Sequence, residues 1–211
     1  LGQPTWGEYF TNGWTQQGGT SGDNFANSNV TFTNQGMVFN VTNNGTTGAM
    51  VHTFSYAASP GVEWTSGYIE WDCILYGGDG SLEPWSTLWV AAPYEGYEGT
   101  PTQEIDVIEG NGQTIWESNY HSPSYDGEHG LSNEPTINGV WGKIGFLRTP
   151  TQYYINWHGI SVCQYAPSDG YNPSAMLMST GTNGGWAAPM TASGGVAMII
   201  ARVTIWEWNG T

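Results

Sequence analysis

The feature that most narrows the folds open to this chain is a two-residue hydrophobic period that runs almost end to end. "GYIEWDCILYG" sets Ile69, Trp71, Cys73 and Leu75 on one side of an extended strand, because successive side chains of a strand point to opposite faces. "NVTFTNQGMVFNVTN" alternates Val30, Phe32 and Val38 around a turn at Asn34-Gln35-Gly36. "WSTLWVAAP", "EIDVIEG" and "TIWESNYH" follow. "VWGKIGFLRT" and "QYYINWHGISVCQY" read as a strand and a hairpin, and "VAMIIARVTIWEW" as a long apolar strand. β-branched and aromatic residues fill these runs, and Gly, Asn, Pro and Ser separate them. No segment carries a 3.6-residue apolar stripe over ten or more positions; "YNPSAMLMS" has room for one turn of helix. Many short strands without helices predict an all-β sandwich or barrel. With no internal repeat or linker, residues 1–211 suit one domain.

The charge balance excludes several partners. Only 10% of the residues are charged, against roughly 25% in an ordinary soluble protein, so the polar surface must come from Thr, Ser, Asn, Gln and Gly. That composition is common outside the cell, and a secreted protein is the expectation. Eighteen acids face three bases, Lys143, Arg148 and Arg202, for a net charge of −15. Such a chain repels phosphate backbones, anionic membrane surfaces and anionic polysaccharides. A neutral substrate fits. No apolar run approaches the roughly 18 residues that span a bilayer. The chain opens on Leu1 and is expected to be a processed or trimmed form. Cys73 and Cys163 have no metal-ligand spacing. Cys73 shares the core parity of its strand, so free thiols are expected rather than a bridge.

One strand defies the general shortage of charge. "EIDVIEG" sets Glu104, Asp106 and Glu109 among Ile105, Val107 and Ile108. Strict alternation puts Glu104 and Asp106 on one face and Ile105 and Val107 on the other. Continued unbroken, it would bury Glu109, and an unpaired buried carboxylate is costly. One extra residue at Val107-Ile108, a β-bulge, returns Glu109 to the acidic face and keeps both apolar side chains inside. Between Glu83 and Glu117 there are seven acids and no Lys or Arg. Like charges this close raise one another's pKa, so one member of the cluster should stay protonated near neutral pH. A retaining glycosidase needs that division: an ionised carboxylate that attacks and a protonated one that donates, roughly 5–5.5 Å apart. Neighbouring same-face positions on a strand give about that spacing. A solvated edge strand would not carry Ile-x-Val-Ile between its acids, and the spacing does not match an EF-hand Ca²⁺ loop.

These residues carry a resemblance. "EIDVIEG" is similar to the E-x-D-x-x-E signature of glycoside hydrolase family 16, the laminarinase-like β-glucanases. "SGYIEWDCIL", "PWSTLWV", "ESNYH", "GKIGFLRTPTQYYINWHGISVCQY", "AMLMSTGTNGGW" and "ARVTIWEW" resemble further blocks of the family, in the family's order, from about residue 66 onward. The resemblance implies a β-jelly roll of two curved antiparallel sheets with sugar in the concave face. It implies a retaining endo-glycosidase for a β-1,3- or mixed-linkage glucan, with no cofactor required, and a monomer is expected. Carried over, Glu104 is the nucleophile, Glu109 the general acid/base, and Asp106 the residue that hydrogen-bonds and tunes the nucleophile. A non-catalytic carbohydrate-binding jelly roll and a transglycosylase share much of this pattern. Two departures stand out. Trp157-His158-Gly159 replaces the usual Asp-Gly of the hairpin, and Ala201 stands near where many members carry an Asp. That Asp often helps hold a structural Ca²⁺, so calcium is doubtful here.

Substrate-binding candidates come from parity and family position together. In "STLWV", Leu88 and Val90 point to the core and Trp89 to the cleft, where its ring could floor a sugar subsite. In "IWESNYH", Glu117, Asn119 and His121 share a face, and Asn119 and His121 can bond sugar hydroxyls or Glu109. Trp186 sits in the Gly-rich loop "NGGWAAP". Trp71, Trp206 and Trp208 are expected to be structural. Glu95 and Glu98 are expected at the cleft rim, and His52, His129 and His158 are assigned no role.

Overall fold

The computed structural model describes residues 24–25, 27–41, 47–53, 63–76, 85–91, 103–110, 116–122, 125–130, 137–166, 174–181 and 195–208. Its strands are β1 (Asn24–Phe25), β2 (Val30–Thr33), β3 (Gly36–Val41), β4 (Thr47–His52), β5 (Glu63–Trp64), β6 (Gly67–Leu75), β7 (Trp85–Ala91) and β8 (Glu104–Gly110), then β9 (Trp116–Ser122), β10 (Tyr125–Gly130), β11 (Gly142–Arg148), β12 (Tyr153–Trp157), β13 (Ile160–Tyr165), β14 (Ser174–Gly181) and β15 (Gly195–Glu207). One sheet runs β1-β4-β14-β7-β8-β9-β10, with β5 also paired to β14; the other runs β13-β12-β11-β6-β15-β3-β2. Pairing is antiparallel except between β1 and β4. No α-helix occurs among the described residues. This is the jelly-roll sandwich that the alternation and the motif order predict.

The core lies between the sheets. Leu88, Val90 and Ile105 from the first sheet meet Trp71, Cys73 and Phe146 from the second, all buried. Inward and outward residues alternate along β6 and β12, as expected where one face of a sheet is packed. Both cysteines are free, Cys73 in the core and Cys163 half-buried. The β12–β13 hairpin turns on His158 and Gly159, both at positive φ, 49° and 81°. Two consecutive positive-φ residues make the primed turn that suits a two-residue hairpin, so His-Gly fills the place of Asp-Gly.

One expectation fails here. "SAMLMS" is a strand of β14, not a helical turn. β14 sits between β4 and β7, and Ala175 to Met178 are all buried, so the alternation disappears. Trp71 is in the core, but Trp206 and Trp208 are about half exposed. β15 slips register against β6 between Ile200 and Arg202, and this turns Arg202, Thr204 and Trp206 outward. Phe32, on the edge strand β2, is also exposed.

Candidate active site

The acidic strand β8 lies between β7 and β9. Towards β9, Glu104 pairs with His121, Asp106 with Asn119 and Glu109 with Glu117. Towards β7, Glu104 pairs with Ala91, Asp106 with Trp89, Ile108 with Leu88 and Glu109 with Thr87. Three steps along β8 from Asp106 to Glu109 therefore match two along each neighbour. The surplus is one residue in the Val107-Ile108 pair, and both of these side chains lie in the core. The bulge thus sets Glu104, Asp106 and Glu109 on the face turned away from the core. A bulge disturbs the local ladder. There the Ser118 hydroxyl donates to the Asp106 carbonyl at 2.7 Å.

The rungs also define the distances at issue. Glu104 and Glu109 are not neighbours on their face, because Asp106 stands between them. Four ladder steps separate them, about 13 Å of strand, so their carboxyls approach one another only by leaning across Asp106. Glutamate, longer than aspartate by one methylene, has that reach.

Asp106, Glu109, Glu117 and Asn119 are buried although they face away from the core. Asn119 Nδ2 donates to Glu109 Oε2 at 2.6 Å. The same amide's Oδ1 is buried with no hydrogen-bond partner among the described residues. His121 Nε2 lies 3.4 Å from Asp106 Oδ2, and its side chain is 43% exposed. Trp89 sits beside Asp106 on the acid face, and its indole N–H donates to Ser179 Oγ at 3.1 Å. Trp186, Glu95 and Glu98 lie outside the described residues. His52 is buried in β4, and His158 is in the hairpin turn.

Burial pushes the Glu104 carboxyl up to about 8; the negative charge of Asp106 adds to the rise and His121 opposes it. A cluster member that stays protonated near neutral pH was expected. That the proton falls on Glu104, the residue assigned to attack, was not. The cause is position: Glu104 is desolvated and faces Asp106 directly. The ligating atoms of Glu104, Asp106 and His121 lie within 4.8 Å of one another, close enough for their charges to act on each other. Two carboxylates and an imidazole are also donors that a transition-metal ion accepts, whereas Ca²⁺ takes six to eight oxygens.

Sequence reasoning passed over Ser118, which braces the bulge, and Ser179, which holds Trp89. Ser118 is hidden between Glu117 and Asn119, and its inward parity is the signal that could have found it.

The fold and site define a class: a two-sheet jelly roll with a row of acids on the outer face of one sheet. Its fold is that of the laminarinases and endo-glucanases of glycoside hydrolase family 16. The catalytic domain of an endo-1,3-beta-glucanase (laminarinase) from Thermotoga petrophila RKU-1 superimposes with a TM-score of 0.73 at 18% identity, over 91% of this chain and 85% of that one. The laminarinase from Rhodothermus marinus gives 0.72 at 14% identity, over 97% and 98%. The family 16 endo-glucanase from Bacteroides ovatus in complex with G4G3G-2F-DNP gives 0.71 at 10% identity, over 93% of each chain. No protein-family model matches the chain, and no curated protein matches it in sequence.

Proposed function

We propose that the chain is a family 16 glycoside hydrolase, a retaining endo-glycosidase acting on a neutral β-glucan with β-1,3 or mixed linkages. The observation that carries this reading is the bulged strand that turns Glu104, Asp106 and Glu109 to one face. The substrate class rests on two supports. The net charge of −15 disfavours anionic polymers, and the structural neighbours are laminarinases and endo-glucanases.

In the first step the ionised Glu104 carboxylate attacks the anomeric carbon. The bond from that carbon to the leaving oxygen breaks as Glu109 gives the oxygen its proton. In the second, Glu109 takes a proton from water, the water oxygen bonds to the anomeric carbon, and Glu104 is released. For the first step, the proton that Glu104 holds near neutral pH must move. It leaves to the water that reaches Glu104, and His121, which opposes the rise in the Glu104 pKa, favours the ionised carboxylate. Asn119 Nδ2 donates to Glu109 Oε2 at 2.6 Å and so holds the acid in place. Asn119 Oδ1, buried without a partner among the described residues, is an acceptor for a sugar hydroxyl. Trp89 offers a ring face to the sugar's C–H surface. The side chains supply both the nucleophile and the acid, so no metal is required.

The test is reducing-sugar release from laminarin, mixed-linkage glucan, agarose and xyloglucan, with the first-formed anomer read by NMR. Cleavage of a β-glucan with retention, nearly abolished in both Glu104→Gln and Glu109→Gln, is the expected result. Full activity in either variant, or inversion, rejects the assignment.

A further inference from the structure

The three cations of the chain part company in the fold. Lys143 Nζ pairs with Glu70 at 2.6 Å and Arg202 lies 4.0 Å from Asp72, both between partly exposed groups of the second sheet. Arg148, at the end of β11, turns the other way. It shares the inward parity of Ile144 and Phe146 and is fully buried. Its guanidinium carbon lies 5.3 Å from the centre of the Tyr153 ring and 5.8 Å from that of Trp64, faces that attract a desolvated cation.

What the guanidinium grips lies in the opposite sheet. Nη1 donates to Ser174 Oγ at 2.8 Å, at the start of β14. Nη2 donates to Gln103 Oε1 at 2.9 Å, and Gln103 Nε2 in turn donates to the Tyr120 hydroxyl at 3.0 Å. Gln103 immediately precedes Glu104. Tyr120 lies between Asn119 and His121 and is the register partner of Ile105. The chain of bonds therefore runs under the rung on which Glu104 and His121 meet. Adjacent residues of a strand face opposite ways, so fixing Gln103 and Tyr120 from below fixes Glu104, Asn119 and His121 above.

We propose that Arg148, acting through Gln103 and Tyr120, is a positioning residue for Glu104, a role that rests on the reading of Glu104 as the attacking carboxylate. A lysine could not reproduce it, because only the planar fork reaches Ser174 and Gln103 together.

Three variants and three readouts, kinetics, amide exchange and melting temperature, test this. Arg148→Met keeps most of the stem and removes the fork. Arg148→Met combined with Gln103→Leu also removes the amide that the single change leaves short of partners, and this should recover stability. Kinetics on laminarin and backbone amide exchange in the ligand-free protein are measured for each. In both methionine variants we expect kcat to fall ~10- to 100-fold with KM within about twofold, since small misplacements at a reacting group are costly. The amides of Glu104 and Ile105 should exchange faster, and the double variant should melt near the wild type. Arg148→Lys should recover only part of kcat. The proposal is overturned by native kcat in the double variant, by a loss that vanishes once the melting temperature is restored, or by full kcat in Arg148→Lys, which would leave charge alone as the cause. If Glu104→Gln is itself fully active, the function fails instead. Amide exchange then decides alone whether Arg148 holds the start of β8.

Discussion

Glu104→Gln should do more than stop turnover: it should change how stability depends on pH. Glutamine resembles a protonated glutamate in shape and hydrogen bonding, so the variant reports the cost of the charge. Folding moves the Glu104 carboxyl from its ordinary 4.5 to about 8, through burial first and the charge of Asp106 second, against His121. The native state then holds a proton that the unfolded chain releases within that window. The stability this contributes is complete below 4.5 and is lost as pH rises through about 8. Each pH unit of the window is worth at most about 1.4 kcal/mol, so the ceiling for the whole span is ~5 kcal/mol. Glu104 keeps some water contact, so we expect roughly 2 kcal/mol. For a chain of this length that is ~4–8 °C in melting temperature. The assay is a series of thermal melts of both proteins between about pH 5 and about pH 8.5. They should melt together at the acid end, and the variant should pull ahead as pH rises. A gap that does not vary with pH, or a wild type that gains on the variant at high pH, would refute the account of a buried, proton-holding Glu104.

The remaining predictions follow from single contacts. Glu109→Gln should lose most activity on glucan but far less on aryl glycosides whose leaving groups need no acid; equal losses on both would remove Glu109 from the acid role. Asn119→Ala deletes the 2.6 Å bond to Glu109 and should lower kcat ~10- to 100-fold, the cost of misplacing a reacting group; unchanged kcat would show that the bond does not orient the acid. Trp89→Ala should raise KM more than it lowers kcat, as expected for stacking that binds ground and transition states alike; an unchanged KM excludes Trp89 from the sugar site. EDTA should leave both turnover and melting temperature unchanged, and a loss restored by Ca²⁺ would reinstate the structural calcium that Ala201 puts in doubt.

How far the sequence could be read depended on whether a residue's surroundings were one-sided. Strands with one packed face declared themselves, and the strongest inference came from a conflict. Alternation would have buried Glu109, the cost of an uncompensated carboxylate forbade it, and the register carries the extra residue at Val107-Ile108 that resolves the two. Where both faces are packed, as in β14, the period vanishes and the pattern leaves room for a helical turn as well as a strand. The slip near Ala201 left no trace in composition, because Ile200 and Arg202 could each begin a face. The separation of Glu104 from Glu109 was overlooked for a simpler reason, since Asp106 occupies the intervening same-face position.

Arg148 shows the same logic working in reverse. Its parity with Ile144 and Phe146 was legible, and so was the rarity of cations in the chain. Together they say that the arginine is buried, but not what it grips, because Gln103, Tyr120 and Ser174 come from three separate strands or their edges. Replacing a buried charge with an apolar side chain is often neutral or stabilising when its partners are replaced as well. A fold that needed only a filled core would therefore be served by methionine at this position. What methionine cannot do is tie the residue before Glu104 to the strand that bears His121. If Arg148 serves placement more than stability, the double variant will fold as well as the native protein and turn over far more slowly.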